Sequence, residues 1–346
     1  MWEKYPVRVS AVGDVIKVWV WAVGSLVVGL WLTPIAYNGG KALSELSATK
    51  DFNGVVNKFA AWSGAAGLED FFRICWPLAA LVSLFPLIEW LRLGGSGGGR
   101  GPWGVRLPHV ASLGKEVGQP VKPNRWGPLQ ALTGFLMTFG VFVLIGYAMV
   151  KVGSFCWEAD AASWRRDLLF DIGWTFALAA VIEVFFRCVV LGVFLRAMRV
   201  TMAIALAALM FGGIRFILGG FSNAETFDCE TLTGVHLSGV IFGGGNLAER
   251  IVVIFLPWFA FGCVLGWARW RTASVWFPSG LLMGWLLADR LFSKATHPAE
   301  MSDRIAGYFA SDSVQTGLIP LVGVLAVGVV VHLITHGYRH GRNACD

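Results

Sequence analysis

Residues 180–195 read AVIEVFFRCVVLGVFL and place Glu183 and Arg187 inside an apolar run, 168–195, long enough to cross a bilayer. Each charge costs about 2.5–3.5 kcal/mol at the centre of an inserted helix, so neither is expected there by default. Four residues apart, the two share one helix face and can pair. Pairing explains how they are tolerated. It does not explain why they are there.

Around this stretch the composition is that of a membrane protein. Of 346 residues, 56% are hydrophobic and only 14% charged, whereas a soluble domain carries about a quarter charged residues. Apolar runs near the ~20 residues of a spanning helix fall at 15–37, 71–91, 129–150, 168–195, 200–219, 251–267, 274–292 and 317–334. The sequence therefore predicts an all-α fold, a polytopic membrane bundle of about eight transmembrane helices. The first run is too long for the apolar part of a signal peptide, and Asp14 and Lys17 interrupt its entry. The 17 tryptophans suit the belts at membrane interfaces.

Charge sorts the connections into two sets. Lys4 and Arg8, the segment from Arg92 to Arg125, Arg196 and Arg199, Arg269 and Arg271, and Arg339 and Arg342 form the basic set. The alternate loops carry Asp51, Glu69, Glu158, Asp228, Glu300 and Asp312. By the positive-inside rule the basic set, with both termini, is cytoplasmic. The net charge of +6 then expresses topology and attraction to anionic lipid. Membrane lipids are expected partners and nucleic acid is not.

Two long connections divide the chain. Residues 93–128 are basic and rich in Gly and Pro, as in a flexible cytoplasmic linker. They separate a two-helix membrane hairpin, residues 1–92, from a six-helix membrane domain, residues 129–346. The hairpin has an external loop at 38–70, with a weakly amphipathic stretch at 55–62 suited to a membrane surface. A second external loop, 221–249, is acidic and has three glycines at 243–245, without the Lys and Ser/Thr of a phosphate-binding loop.

Polar residues inside spans are candidates for function. Asp171, Asp289 and Arg290 lie near predicted helix ends, where snorkelling accounts for them. Glu183, Arg187 and Arg215 lie deeper, as functional groups or as a buried ion cluster joining two helices. His332, His336 and His340 recur every four residues, a spacing that can hold zinc. Arg339 and Arg342 beside them favour a basic helix cap, so neither a metal nor any other cofactor is expected. Of the six cysteines, Cys156 and Cys229 alone fall in external loops, where they can bridge in an oxidising compartment.

The opening stretch also has a familiar context. IEVFFRCVVLG resembles the EExxxR segment of the CPBP family of intramembrane proteases, which includes CAAX prenyl-protein endopeptidases and bacteriocin-processing relatives. LAALMFGGIRF (206–216) is similar to that family's FxxxH helix, and RTASVWFPSGLLMGW (271–285) to its GSLWLPIGLHAGW-like segment. The three follow in the family's order within 129–334. DFFRICWPLAALVSLFPLIEWLR (70–92) resembles the N-terminal extension of a bacterial subgroup linked to exosortase systems. The resemblance implies a multi-pass protein of the bacterial cytoplasmic membrane.

The departures decide what it implies about activity. The family's first glutamate, thought to activate water, falls on Ile182, the second on Glu183 and the arginine on Arg187. Phe211 is retained, but the FxxxH histidine falls on Arg215. The last motif's histidine falls on Leu282 and its Asn/Asp on Leu286. Peptide hydrolysis needs a base for water and donors for the oxyanion. Isoleucine and leucine are neither, and arginine stays protonated. The expectation is a catalytically inactive membrane scaffold, accessory subunit or regulator that works with another membrane protein, with Arg215 entering the vacated pocket to pair with Glu183. One alternative is an endopeptidase with a rearranged site, Glu183 as base and Arg215 as oxyanion donor. Another is a small transporter or channel, which lacks the expected paired broken helices.

Overall fold

The computed structural model describes residues 9–50, 52–91, 126–157, 161–220, 239, 247–272, 274–299 and 313–336. Most of the linker at 93–128 and of the loop at 221–249 lies outside them. The chain divides into two compact units, Met1–Pro102 with Phe216–Leu247 and Trp103–Arg215 with Ala248–Asp346.

In the first unit α1 (Val9–Thr49) and α3 (Leu68–Trp90) form a hairpin, with α2 (Gly54–Ala65) between them in sequence. Lys17 donates to the Trp90 carbonyl at 3.0 Å, and Gly40 lies against Phe71, so the two long helices run antiparallel. Leu30, Leu68 and Phe72 are the buried core, with Trp76, Ile217 and Leu218 packed on it. Pro77 and Pro86 lie within α3, as membrane helices tolerate.

The expected external loop at 38–70 is mostly helix. α1 continues through Gly39 and Gly40 to Thr49, although these residues read as a turn. A methyl group at Gly40 would lie 2.6 Å from the Phe71 ring, so glycine here permits close packing. Ser63 Oγ donates to the Gly40 carbonyl at 2.8 Å. Lys41 Nζ donates to the Gly64 and Ala66 carbonyls at 2.7 and 3.0 Å, satisfying oxygens that the end of α2 leaves open. The amphipathic stretch at 55–62 lies within α2. Val55, Phe59 and Trp62 are exposed along one face of α2, while Ala60 and Ser63 are buried on the other.

The second unit contains α4 (Gly127–Lys151) and then α5, which comprises Ala161–Glu183, a wider π-helical stretch at Val184–Val190, and Leu191–Ala197. α6 is Val200–Leu218, its last turn assigned to the first unit. α7 repeats the device of α5, with Leu247–Arg250, a π-helical stretch at Ile251–Phe255, and Leu256–Thr272. α8 (Trp276–Ala295) and α9 (Leu318–His336) complete the unit.

α8 packs most closely on α4, and glycine is the reason. A methyl group at Gly284 would lie 2.5 Å from the Phe135 carbonyl oxygen, and one at Gly134 2.6 Å from that of Phe277. A methyl group at Gly280 would collide with the Ala131 carbonyl. Gly280 and Gly284 are four apart on one face, the small-residue spacing that lets membrane helices approach to backbone contact.

A short antiparallel ribbon, absent from the sequence expectation, joins β1 (Phe155–Trp157) to β2 (Thr296–Pro298), with Cys156 opposite His297. Phe155 packs edge-on against Phe292, with ring centroids 4.9 Å apart.

Among the described residues seven helices (α1, α3, α4, α5, α6, α7 and α9) are long and apolar enough to cross a membrane. α8 is 20 residues long but carries Asp289, Arg290 and Lys294, which makes it less apolar. The protein is an all-α, multi-pass membrane bundle.

Candidate functional site

The charges of the opening stretch sit at the centre of the second unit. On α5 the buried positions Glu183, Phe186, Arg187, Val190, Leu191 and Phe194 recur at the three-and-four spacing of one helix face. The first π-helical stretch begins directly after Glu183. Within it the Leu191 N–H reaches the Phe186 carbonyl five residues back. Such widened turns are frequent at functional sites.

Glu183 and Arg187 are 0% and 1% exposed, and Arg187 Nε lies 3.4 Å from Glu183 Oε1. Their polar atoms make no hydrogen bond among the described residues, so charge attraction without donor–acceptor contact joins them. The Arg187 guanidinium lies 5.3 Å from the Phe211 ring centre and 5.9 Å from that of Phe186. Phe211 and Phe186 meet edge-to-face at 5.5 Å. Phe211 of α6 therefore covers Arg187 of α5, through the attraction of an aromatic face for a cation.

From Phe211 the aromatic packing continues to Trp258 at 5.3 Å and on to Trp285 at 4.6 Å. Phe261 packs on Trp285 at 3.7 Å and Phe142 at 5.7 Å. Leu282, three residues before Trp285, is fully buried. Ile182 and Leu286 are half-buried.

The second cation bearing on Glu183 is Arg269. By charge distribution Arg269 belongs to the basic cytoplasmic set, and the expected partner of Glu183 is Arg215. Arg215 instead lies with its guanidinium 5.4 Å from the centre of the Trp258 ring, and its charge bears on Asp289, which Ser313 also hydrogen-bonds. Trp258, Phe261, Gly262, Leu265, Gly266 and Arg269 are all buried at one-face spacing.

Asp171 is not a snorkelling residue. It is 1% exposed, and it accepts hydrogen bonds from Arg290 Nε at 2.6 Å and Lys294 Nζ at 2.5 Å. These bonds tie α5 to α8.

Beside Asp289, the segment Ser313, Val314, Gln315, Thr316 and Gly317 enters the protein ahead of α9. Val314, Gln315 and Thr316 are buried. Gln315 Nε2 donates to the Trp285 carbonyl at 3.3 Å. The Gly317 N–H donates to the Val253 carbonyl at 2.8 Å, inside the second π-helical stretch.

His332 and His336 are adjacent on α9, with ring centroids 5.9 Å apart, while His340 and Cys345 lie outside the described residues. Among the described residues no group of three or more His, Cys, Asp or Glu could hold a metal ion. Cys156 is an exposed free thiol in β1; Cys229, its expected partner, lies outside the described residues.

The Glu183–Arg187 pair is thus sealed among aromatic rings, while Arg215 and Asp289 remain partly exposed. No family model, no curated protein and no solved structure matches the chain.

Proposed function

We propose that the six-helix part of this protein is a catalytically silent relative of the CPBP intramembrane proteases, serving as a scaffold or accessory subunit for another protein of a bacterial cytoplasmic membrane. The observation that carries the reading is the Glu183–Arg187 pair. It stands at the resembling motif's positions, and it is fully buried against Phe186 and Phe211. Glu183 has Arg187 and Arg269 as its charge partners, an arrangement that suits a helix lock better than a base reached by water. Ile182, Leu282 and Leu286 bring no group able to move a proton.

The rearranged-endopeptidase reading needs Glu183 and Arg215 to act on one scissile bond. The engagement of Arg215 with Trp258 and Asp289 speaks for separate roles. Both termini, with the basic connections, are cytoplasmic in this proposal.

The test is the protein reconstituted in vesicles and offered prenylated and membrane-embedded peptides. The expected result is no cleavage above that of empty vesicles. Cleavage that disappears in Glu183→Gln would replace this reading with the rearranged enzyme. In mild detergent, purification from native membranes should bring down one stoichiometric membrane partner.

A further inference from the structure

α6, α7 and α9 leave an apolar groove of about 400 Å³ open on the surface of the second unit, within the ~300–1,000 Å³ range of small-molecule sites. Thr201, Trp267 and His332, near the start of α6 and the ends of α7 and α9, line it at one end, and Ile204, Cys263 and Gly328 line it about one helical turn further along. Its lining is almost wholly apolar, so a polar ligand gains nothing from it. The end is different. The Arg271 guanidinium lies 4.8 Å from the centre of the Trp267 ring and 5.3 Å from that of Trp270. The His332 ring also stacks on Trp267, 5.8 Å away at 27°. Arg199, exposed, is two residues from Thr201 at the same end.

We propose that this groove holds one acyl chain of an anionic phospholipid, with the headgroup phosphate at Arg271 and His332. Three features favour that occupant. The groove runs along the helices from a cationic, aromatic mouth into an apolar interior, the polarity order of a lipid entering from its headgroup. Trp267 and Trp270 are the amphipathic rings found at headgroup level. The mouth is also the end that the distribution of arginines assigns to the cytoplasmic leaflet, where anionic lipids collect. Gly328 matters because a methyl group there would lie 3.0 Å from Val264 Cγ2, so any larger side chain narrows the groove. The site is independent of the protease resemblance.

The experiment is native mass spectrometry of the delipidated full chain in detergent, titrated with phosphatidylglycerol or phosphatidylcholine. The native protein should retain one phosphatidylglycerol with about fivefold preference over phosphatidylcholine, the effect of roughly one interfacial arginine. Gly328→Phe should lose retention of both lipids. Arg271→Gln, a change at the mouth that is read independently of whether Gly328→Phe folds, should keep binding and lose the preference. Val322→Phe, on an exposed position of α9 outside the groove, should behave as native. Equal retention of the two lipids by the native protein, or an unchanged preference in Arg271→Gln, would overturn the assignment.

Discussion

Two charge clusters sit on one helix, α5, and differ in almost every respect. Asp171 is joined to Arg290 and Lys294 by short hydrogen bonds from another helix, and those two cations remain 39% and 32% exposed. Glu183 is joined to Arg187 on the same helix at 3.4 Å, without a hydrogen bond, with both side chains sealed. The first is a strap between helices, whose cations can turn to solvent when the carboxylate is lost. The second has no such exit. A buried charge that loses its partner cannot hydrate, so the longer, poorer-looking pair should be the costlier one to break.

Thermal unfolding in detergent tests that ordering. The largest loss is expected for Glu183→Ala, which leaves Arg187 and Arg269 buried without their carboxylate, about 3–5 kcal/mol. Stability equal to native would remove the distinction between the clusters. Next comes Gly280→Leu, which forces side-chain atoms onto the Ala131 carbonyl at the α4–α8 contact; overpacking of this kind costs about 1–3 kcal/mol. Because that contact holds α8 against α4, the strap is not its only anchor. Asp171→Asn should therefore cost less, about 1–2 kcal/mol, the worth of charged hydrogen bonds reduced for the exposure of the cations. Lys294→Met should be the mildest, below about 1 kcal/mol. A loss for Asp171→Asn larger than for Glu183→Ala would reverse the comparison.

How much of this was legible in the sequence varies with the physical signal. Apolar length placed the seven described helices that can cross a membrane, because a bilayer-spanning helix leaves a run that no soluble element needs; the eighth expected run became α8, which is less apolar. It could not mark where α1 stops, since Asn38, Gly39 and Gly40 look like a turn and only the approach of Phe71 and the reach of Lys41 show why the helix continues. The Glu183–Arg187 pair was legible from its spacing. The π-helical stretches were not, because VFFRCVV and IVVIF are apolar nearly all round, so the shift of about 100° from one inserted residue leaves no polar position out of phase. The pairing of Arg215 with Glu183 rested on motif alignment alone; Arg269, which bears on Glu183, read as a cytoplasmic charge, and only its burial in line with Trp258, Phe261 and Leu265 shows otherwise. The strap at Asp171 depends on a partner 119 residues away, beyond any local pattern.

The central claim is that Glu183 and Arg187 hold the helix centre together as a pair. The most direct measurement is the unfolding free energy of Glu183→Leu, Arg187→Met and the double variant in one detergent. Each single change should cost several kcal/mol, while the double variant, which buries neither charge of the pair, should recover at least half of the larger single loss. A double variant no more stable than Glu183→Leu alone would contradict the claim and leave each residue with a separate role.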